Sequence, residues 1–226
     1  MNAFVQLAPG LSRLSLRGDD YVNVYLLGDV LVDAGPHFME KRLLESLEGV
    51  PLRAHAITHG HFDHQGGSHA VCARFDIPFW CGDGERQALE SGRIERLMRP
   101  GLLRRGLTRL LAGPGHPVMR VLQDGDDVDA GFVALETPGH TPGSLSFWRA
   151  SDCVLVVGDA AWARNPFTFR AGLREPLPAF SVDPAANRAA LRRLAALDPD
   201  LVCFGHGLPS TGGRFREFVA GLALRR

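Results

Sequence analysis

The chain has 226 residues, 45% of them hydrophobic, with 25 basic and 25 acidic side chains and a formal net charge of +0. That length suits one domain with a sizeable core, spanning 1–226, and a neutral balance supplies no global basic field, so no nucleic-acid partner is expected. No stretch is long or apolar enough for a bilayer span, and residues 1–10 carry no basic start or apolar core of an export signal, which excludes membrane partners and leaves a cytoplasmic protein as the expectation.

Phe4 to Leu7 and Leu11 to Leu16 alternate apolar and polar residues with period two and read as strands. Tyr21 to Leu27 is a third run, and Gly28-Asp29 turns the chain into Val30 to Asp33. Phe38 to Leu47 has helical spacing, with Gly49 as its stop. Ala54 to Thr58 reads as a buried strand, Ser68 to Phe75 as a helix after Gly66-Gly67, and Pro78 to Cys81 as a short strand. Glu85 to about Leu111 has helical character interrupted at Pro100-Gly101 and Gly106. Strands are expected over Val118 to Leu122, Phe132 to Glu136, Ser144 to Trp148, Cys153 to Val157 and Leu201 to Phe204. Helices are expected over Pro184 to Leu197, capped by Asp183 with proline at the first position, and over Arg214 to Leu224. The four cysteines, Cys72, Cys81, Cys153 and Cys203, form no CxxC pair and read as buried free thiols.

Chemistry concentrates at the ends of four apolar runs. Ala54 to Thr58 leads into His59-Gly60-His61-Phe62-Asp63-His64, Phe132 to Glu136 leads to His140, Cys153 to Val157 to Asp159, and Leu201 to Phe204 to His206. Neutral imidazole and carboxylate are ligands for zinc, iron and manganese, and strand ends of a common sheet bring their loops together. In extended backbone, His59, His61 and Asp63 would share one face and His64 the other, so one segment could feed two adjacent metals if the loop curls. Of the remaining histidines, His55 reads as a core residue with satisfied hydrogen bonds and His69 as a surface or supporting residue; His37 and His116 suggest no role. The aromatic and arginine mixture of the loop from Ala160 to Pro178, with Trp162, Phe167, Phe169, Arg164, Arg170 and Arg174 and with Phe180 nearby, admits two readings. It is a packed loop with solvated arginines or a surface for an amphipathic anionic substrate. Arg96 to Arg120, six arginines without a carboxylate, likewise reads as a solvated helix face before an anion site.

These blocks resemble those of the metallo-β-lactamase-fold hydrolases. His59 to His64 matches the HxHxDH motif, Thr137-Pro138-Gly139-His140-Thr141-Pro142-Gly143 the second block, Gly158-Asp159 the third and Gly205-His206-Gly207 the fourth, while Asp33-Ala34-Gly35 resembles an early Asp-x-Gly element. The resemblance implies an α/β (α+β) fold, a four-layer αβ/βα sandwich of two mixed sheets with helices on the outer faces. It also implies two divalent metal ions, zinc by default with iron or manganese acceptable. His59, His61 and His140 would hold the first, Asp63, His64 and His206 the second, and Asp159 both, with Asp33 orienting a ligand histidine. Asp63 and Asp159 would be the catalytic carboxylates of a hydrolase that uses metal-held hydroxide on a small ester, thioester or lactone. The alternatives are a one-iron sulfur (persulfide) dioxygenase of the same fold, a phosphodiesterase, and a non-catalytic binding protein. The missing export signal disfavours β-lactams, and the roughly twenty residues after His206, enough for one helix, disfavour a glutathione thioester without excluding it.

Overall fold

The computed structural model describes residues 4–18, 20–98, 106, 108 and 110–222. Seven strands form the first sheet in chain order: β1 (Val5–Ala8), β2 (Leu11–Ser15), β3 (Asn23–Leu27), β4 (Val30–Val32), β5 (Ala54–Ala56), β6 (Phe79–Gly82) and β7 (Val118–Leu122). The first four are antiparallel hairpin neighbours. The tight turn at Gly28-Asp29 places Leu27 opposite Val30, with Gly28 at φ 56, a conformation glycine adopts without a Cβ penalty. From β4 onward the pairing is parallel, so each step needs a crossover. These carry α1 (Glu40–Ser46), then α2 (Phe62–Gln65) with α3 (Ser68–Phe75), then α4 (Arg86–Ser91).

The second sheet contains β8 (Asp127–Asp129), β9 (Phe132–Glu136), β10 (Leu145–Arg149), β11 (Val154–Val156), β14 (Leu201–Cys203) and β15 (Ser210–Thr211), in the order β15-β14-β11-β10-β9-β8. Its β11–β14 pair is parallel and its other pairs antiparallel. The β11–β14 crossover holds a separate hairpin, β12 (Trp162–Arg164) with β13 (Ala171–Arg174), and then α5 (Pro184–Ala195). Asp183 caps α5 by accepting from Ala185 N (2.9 Å) and Ala186 N (3.0 Å), and Pro184 occupies the first turn. The chain then forms α6 (Gly212–Leu222).

Strand alternation sorts the apolar residues into three cores. Val30, Val32, Ala54, Ala56 and Trp80 of the first sheet meet Phe132, Phe147, Val154 and Val156 of the second. Leu31 and Phe79 face the other way, onto Leu43 of α1, Val71 of α3 and Leu89 of α4. Leu155 and Val202 face Leu191 and Leu194 of α5 and Phe215 and Val219 of α6. The result is the expected four-layer sandwich, helices outside two mixed sheets. Each fully buried large side chain, such as Phe132 or Phe147 at 0% exposure, contributes roughly 1.5–3 kcal/mol by leaving water.

Some elements depart from expectation. Strands β8, β12, β13 and β15 were not anticipated: the first is Asp-Val-Asp, the last only two residues, and β12 and β13 pair solely with each other. The stretch expected to be a broken helix ends α4 at Gly92, left-handed at φ 66, and continues as a 3₁₀ turn over Ile94–Leu97. Gly106, expected to interrupt a helix, is itself helical, and Pro100-Gly101 and residues 223–224 lie outside the described residues. No helix among the described residues is long and apolar enough to cross a membrane.

Phe215 is fully buried where α6 meets Phe204. Phe215→Ala should therefore cost about 3–5 kcal/mol, and truncation after Gly213, which also removes Val219 and Leu222, should cost more. Urea unfolding reads this as a lowered midpoint at constant slope; an unchanged midpoint would contradict the packing described.

Candidate metal centre

The site lies at the edge where strand ends of both sheets meet. Strand β5 delivers Ile57, Thr58 and His59; β9, β11 and β14 deliver His140, Asp159 and His206. Backbone and side-chain bonds stitch the two edges together: Leu145 N donates to Thr58 O (2.7 Å) and Asn23 N to Gly205 O (2.8 Å). Asn23 Nδ2 donates to Phe204 O (2.9 Å) and Gly207 O (2.7 Å), and the Tyr25 hydroxyl to Phe204 O (2.7 Å). The turn preceding His206 is thus held by β3.

The His59–His64 segment is extended only as far as His61, at φ −70 and ψ 155, where α2 begins. The expected alternation therefore stops at His61; helical rotation, not a strand face, places Asp63 and His64. Six of the seven candidate side chains are at most 4% exposed, and Asp63 is half-buried at the rim. Ligand atoms of His59, His61 and His140 lie within 4.8 Å of one another, as do those of Asp63, His64 and His206. Asp159 stands between the groups: its carboxylate is 3.2 Å from His206 Nε2, 3.5 Å from His64 Nε2 and 3.9 Å from His140 Nε2. Gly205 permits this crowding, since a Cβ there would lie 2.2 Å from Asp159 Oδ1 and 2.6 Å from His64 Cε1.

Outer hydrogen bonds orient these rings. Asp33 Oδ2 accepts from His64 Nδ1 (2.8 Å), and Asp33 Oδ1 accepts from Thr58 N (2.7 Å). Thr58 Oγ1 donates to Asp33 (2.9 Å), which leaves that oxygen to accept from His59 Nδ1 (3.0 Å). His206 Nδ1 donates to Tyr21 O, and His140 Nδ1 sits 3.3 Å from Ser181 Oγ. Trp162 Nε1 donates to Asp159 Oδ2 (2.6 Å). With Nδ1 engaged in this way, the Nε2 lone pairs of His59, His64 and His206 turn inward. Five buried atoms of the candidate side chains have no hydrogen-bond partner: His59 Nε2, His61 Nε2, His64 Nε2, His206 Nε2 and Asp159 Oδ1. His61 turns its other nitrogen, Nδ1, toward His140 Nε2 at 3.0 Å. Imidazole nitrogens and a carboxylate gathered in this way are a donor set that a divalent cation satisfies.

The electrostatics divide the site. Burial and neighbouring imidazoles hold His59 and His140 well below the ordinary histidine range, and burial takes His61 down to about 4. Burial also opposes charge on His64 and His206. Asp159 and Asp33 outweigh it at His64, and Asp159 and Asp63 push His206 up to about 10. The three-histidine side is therefore built from neutral imidazoles, and anionic charge gathers around Asp159 and Asp63.

Four other histidines lie elsewhere. His55 is buried under α3, with Nδ1 at 3.1 Å from Leu31 O and Nε2 at 2.9 Å from Ser68 Oγ. His69 and His116 face each other at 3.3 Å, and His37 pairs with Glu40 at 3.0 Å. The cavity above the site is about 20 Å³, walled by Tyr21, Phe62, Trp162, Phe167 and Phe180. A larger cavity of about 620 Å³, between the β12–β13 hairpin and α6, holds none of the seven candidates. The nearby arginines bond to backbone: Arg164 Nη1 to Phe169 O (2.8 Å) and Arg174 to Gly172, Arg170 and Ala171 carbonyls. Arg96 bonds Gln87, while Arg99, Arg104, Arg105 and Arg109 lie outside the described residues.

Comparison with known proteins follows the same blocks. The family model of the metallo-beta-lactamase superfamily matches residues 17–206. The probable metallo-hydrolase YflN of Bacillus subtilis is 30% identical over 193 residues, covering 79% of this chain and 73% of its own. The crystal structure of TTHA1623 in a di-iron-bound form is 29% identical with a TM-score of 0.62, covering 93% of this chain and 94% of its own. The BLEG-1 B3 metallo-beta-lactamase is 26% identical with a TM-score of 0.66, covering 92% and 96%.

Asp33 adopts φ 64, a left-handed conformation that asparagine tolerates. Asp33→Asn should thus keep the turn while turning an amide donor toward His64 or Thr58. Metal affinity should fall about 10- to 100-fold, as for other lost ligand-orienting partners. Calorimetric titration of the metal-free protein measures it; unaltered affinity would remove Asp33 from the site.

Proposed function

The chain belongs to the metallo-beta-lactamase superfamily, and from that premise we propose that it is a two-metal hydrolase of a small ester, thioester or lactone. The observation that carries this reading is the convergence of His59, His61 and His140 in one group and Asp63, His64 and His206 in another, with Asp159 grouped with His59 and His64 between them. His59, His61 and His140 would hold one ion, Asp63, His64 and His206 the other, and Asp159 would touch both. The di-iron form of TTHA1623, an all-round relative in length, supports two ions in such a site. We propose zinc as the native metal; the all-nitrogen-and-oxygen set also accepts iron or manganese.

When bound, the two ions supply Lewis acidity toward the substrate oxygen and a water of lowered pKa. The chain's own residues do the rest. Asp159 is held at Oδ2 by Trp162, which fixes the carboxylate while Oδ1 stays free. Asp63 stands at the rim, 3.4 Å from His206 and facing the cavity, where it can accept a proton from water and pass it to a leaving group. Trp162, Phe62 and Phe167 exclude bulk water and offer apolar surface to the acyl portion of a substrate. The complete second set, Asp63, His64 and His206, supports hydrolysis over a one-iron oxidation.

A panel of thioesters, lactones, simple esters, phosphodiesters and β-lactams on metal-replete protein tests the reading, with Asp159→Ala as the blank. Wild-type protein should hold two metals per chain and turn over members of the first three groups. Asp159→Ala should lose at least one metal and at least about 100-fold in kcat. Two retained metals with full turnover in that variant would refute the role of Asp159. A single iron with oxygen uptake would refute hydrolysis.

A further inference from the structure

Glu85 is a carboxylate that neither the motif blocks nor the proposed chemistry uses. It ends the 3₁₀ turn Asp83–Glu85 between β6 and α4, far in sequence from every candidate ligand, and it is 0% exposed. A fully buried carboxylate is costly unless its oxygens are satisfied. Those of Glu85 are satisfied by two different loops. Oε2 accepts from Gly60 N at 2.7 Å, and Oε1 accepts from Gly143 N at 2.9 Å. The Thr141 hydroxyl donates as well. Gly60 separates His59 from His61, while Thr141 and Gly143 follow His140.

We propose that Glu85 is a positioning residue for the three-histidine half of the site, clamping the His59–His61 loop to the His140 loop through their backbone. The inference rests on the two-metal reading above and adds to it the part that sets the mutual distance of those three imidazoles. The surrounding glycines fit this role. A Cβ on Gly60 would come 2.8 Å from Glu85 Oε2, and one on Gly143 would come 2.7 Å from Glu85 N, so the first loop approaches the carboxylate, and the second the backbone of the Glu85 turn, closer than a side chain allows. The clamp mirrors Asp33 on the opposite side of the same loop. Asp33 accepts directly from His64 and reaches His59 through the Thr58 hydroxyl, whereas Glu85 reaches only backbone and hydroxyl donors beside the three-histidine half. A glutamine cannot replace it. Its amide has one acceptor oxygen and one donor nitrogen, so one of the two backbone N–H groups would face another donor.

The test is a titration of metal-free protein with cobalt(II), followed by calorimetry and by the cobalt absorption spectrum. Wild-type protein should show two binding events. Glu85→Gln should weaken one event about 10- to 100-fold and leave the other within about threefold, with unchanged far-ultraviolet circular dichroism. Saturating cobalt should then restore the wild-type spectrum, a rescue that a merely structural role would not give. Two events with unchanged affinities in a folded Glu85→Gln protein would overturn the proposal, as would equal weakening of both. If Glu85→Gln does not fold, Thr141→Val decides: it removes one donor to Glu85 together with the hydroxyl's bond to Ser144, and should weaken a single event by less than about tenfold; equal weakening of both events, or none, overturns the clamp. Wild-type protein that binds no cobalt would overturn the two-metal reading itself and this inference with it.

Discussion

The molecule is organised around one electrostatic demand: imidazoles and carboxylates from both sheets are buried against each other at one edge. An unpaired buried polar group costs about 1–3 kcal/mol. Asp159 offsets part of that cost by facing His64 at 3.5 Å and His206 at 3.2 Å, while His59 Nε2 keeps a lone pair without a hydrogen-bond partner in the chain. A chain retains such a cluster only if the rest of the fold holds it in place, and the sandwich does so at several points. The apolar contact between the two sheets, Val30 and Val32 on one side with Phe132 and Phe147 on the other, fixes their strand ends at a common edge. Hydrogen bonds from Leu145 to Thr58 and from Asn23 to Gly205 then tie the loops across that edge.

Buried carboxylates divide the work of orientation. Asp33 and Glu85 approach the His59–His64 loop from different elements, one through Thr58 and His64, the other through Gly60. Neither is exposed to water, so their hydrogen bonds operate in a low effective dielectric and fix geometry strongly. Trp162 does the same for Asp159 with an indole N–H. The geometry of the centre is thus set by groups that come from β4, from the turn before α4 and from the hairpin after β11, elements that also pack the cores.

Much of this was legible in the residues, and the limits of legibility are physical. Strand β9 could be read because its short apolar run lies between Gly131 and Thr137-Pro138-Gly139, helix α3 because it follows Gly66-Gly67, and α5 because Asp183 and Pro184 mark its start. His59, His140, Asp159 and His206 follow strand ends, so the sheet topology brings them together, whereas Asp63 and His64 reach the site through the turn of helix α2. Strands β8, β12, β13 and β15 were not legible, because short polar segments become strands only when a neighbour offers a free edge. The same holds for the supporting residues. Ser181 is 41 positions from His140 and Glu85 is 58 from Gly143, and a lone polar residue carries no mark of a partner that distant. Trp162 stood out as an aromatic in a loop, but its bond to Asp159 depends on the hairpin, which the loop composition concealed.

That hairpin also settles what the arginines beside the site do. Arg164 and Arg174 spend their guanidinium donors on carbonyls of the hairpin itself, at 2.8 to 3.2 Å, so their charge stabilises the loop instead of facing the centre. Recognition at the mouth then falls to aromatic surface. Phe167 and Phe180 stack at 5.0 Å, and Phe167 approaches Trp162 at 6.4 Å, above a space of only about 20 Å³, room for a single water. A substrate must displace part of that wall to bring a carbonyl to Asp159. Phe167, 52% exposed and carried on the loop between β12 and β13, is the member with the least packing to lose. Burying an apolar group against that wall offsets what is lost in stacking, whereas a charged group placed there would shed its hydration, with the Arg17 guanidinium on the Tyr21 ring at 5.2 Å as a described cation beside it. Among the described residues, then, the aromatic wall favours apolar surface beside the bond that the proposed hydrolase would cleave, and the candidate metal ligands lie beneath it.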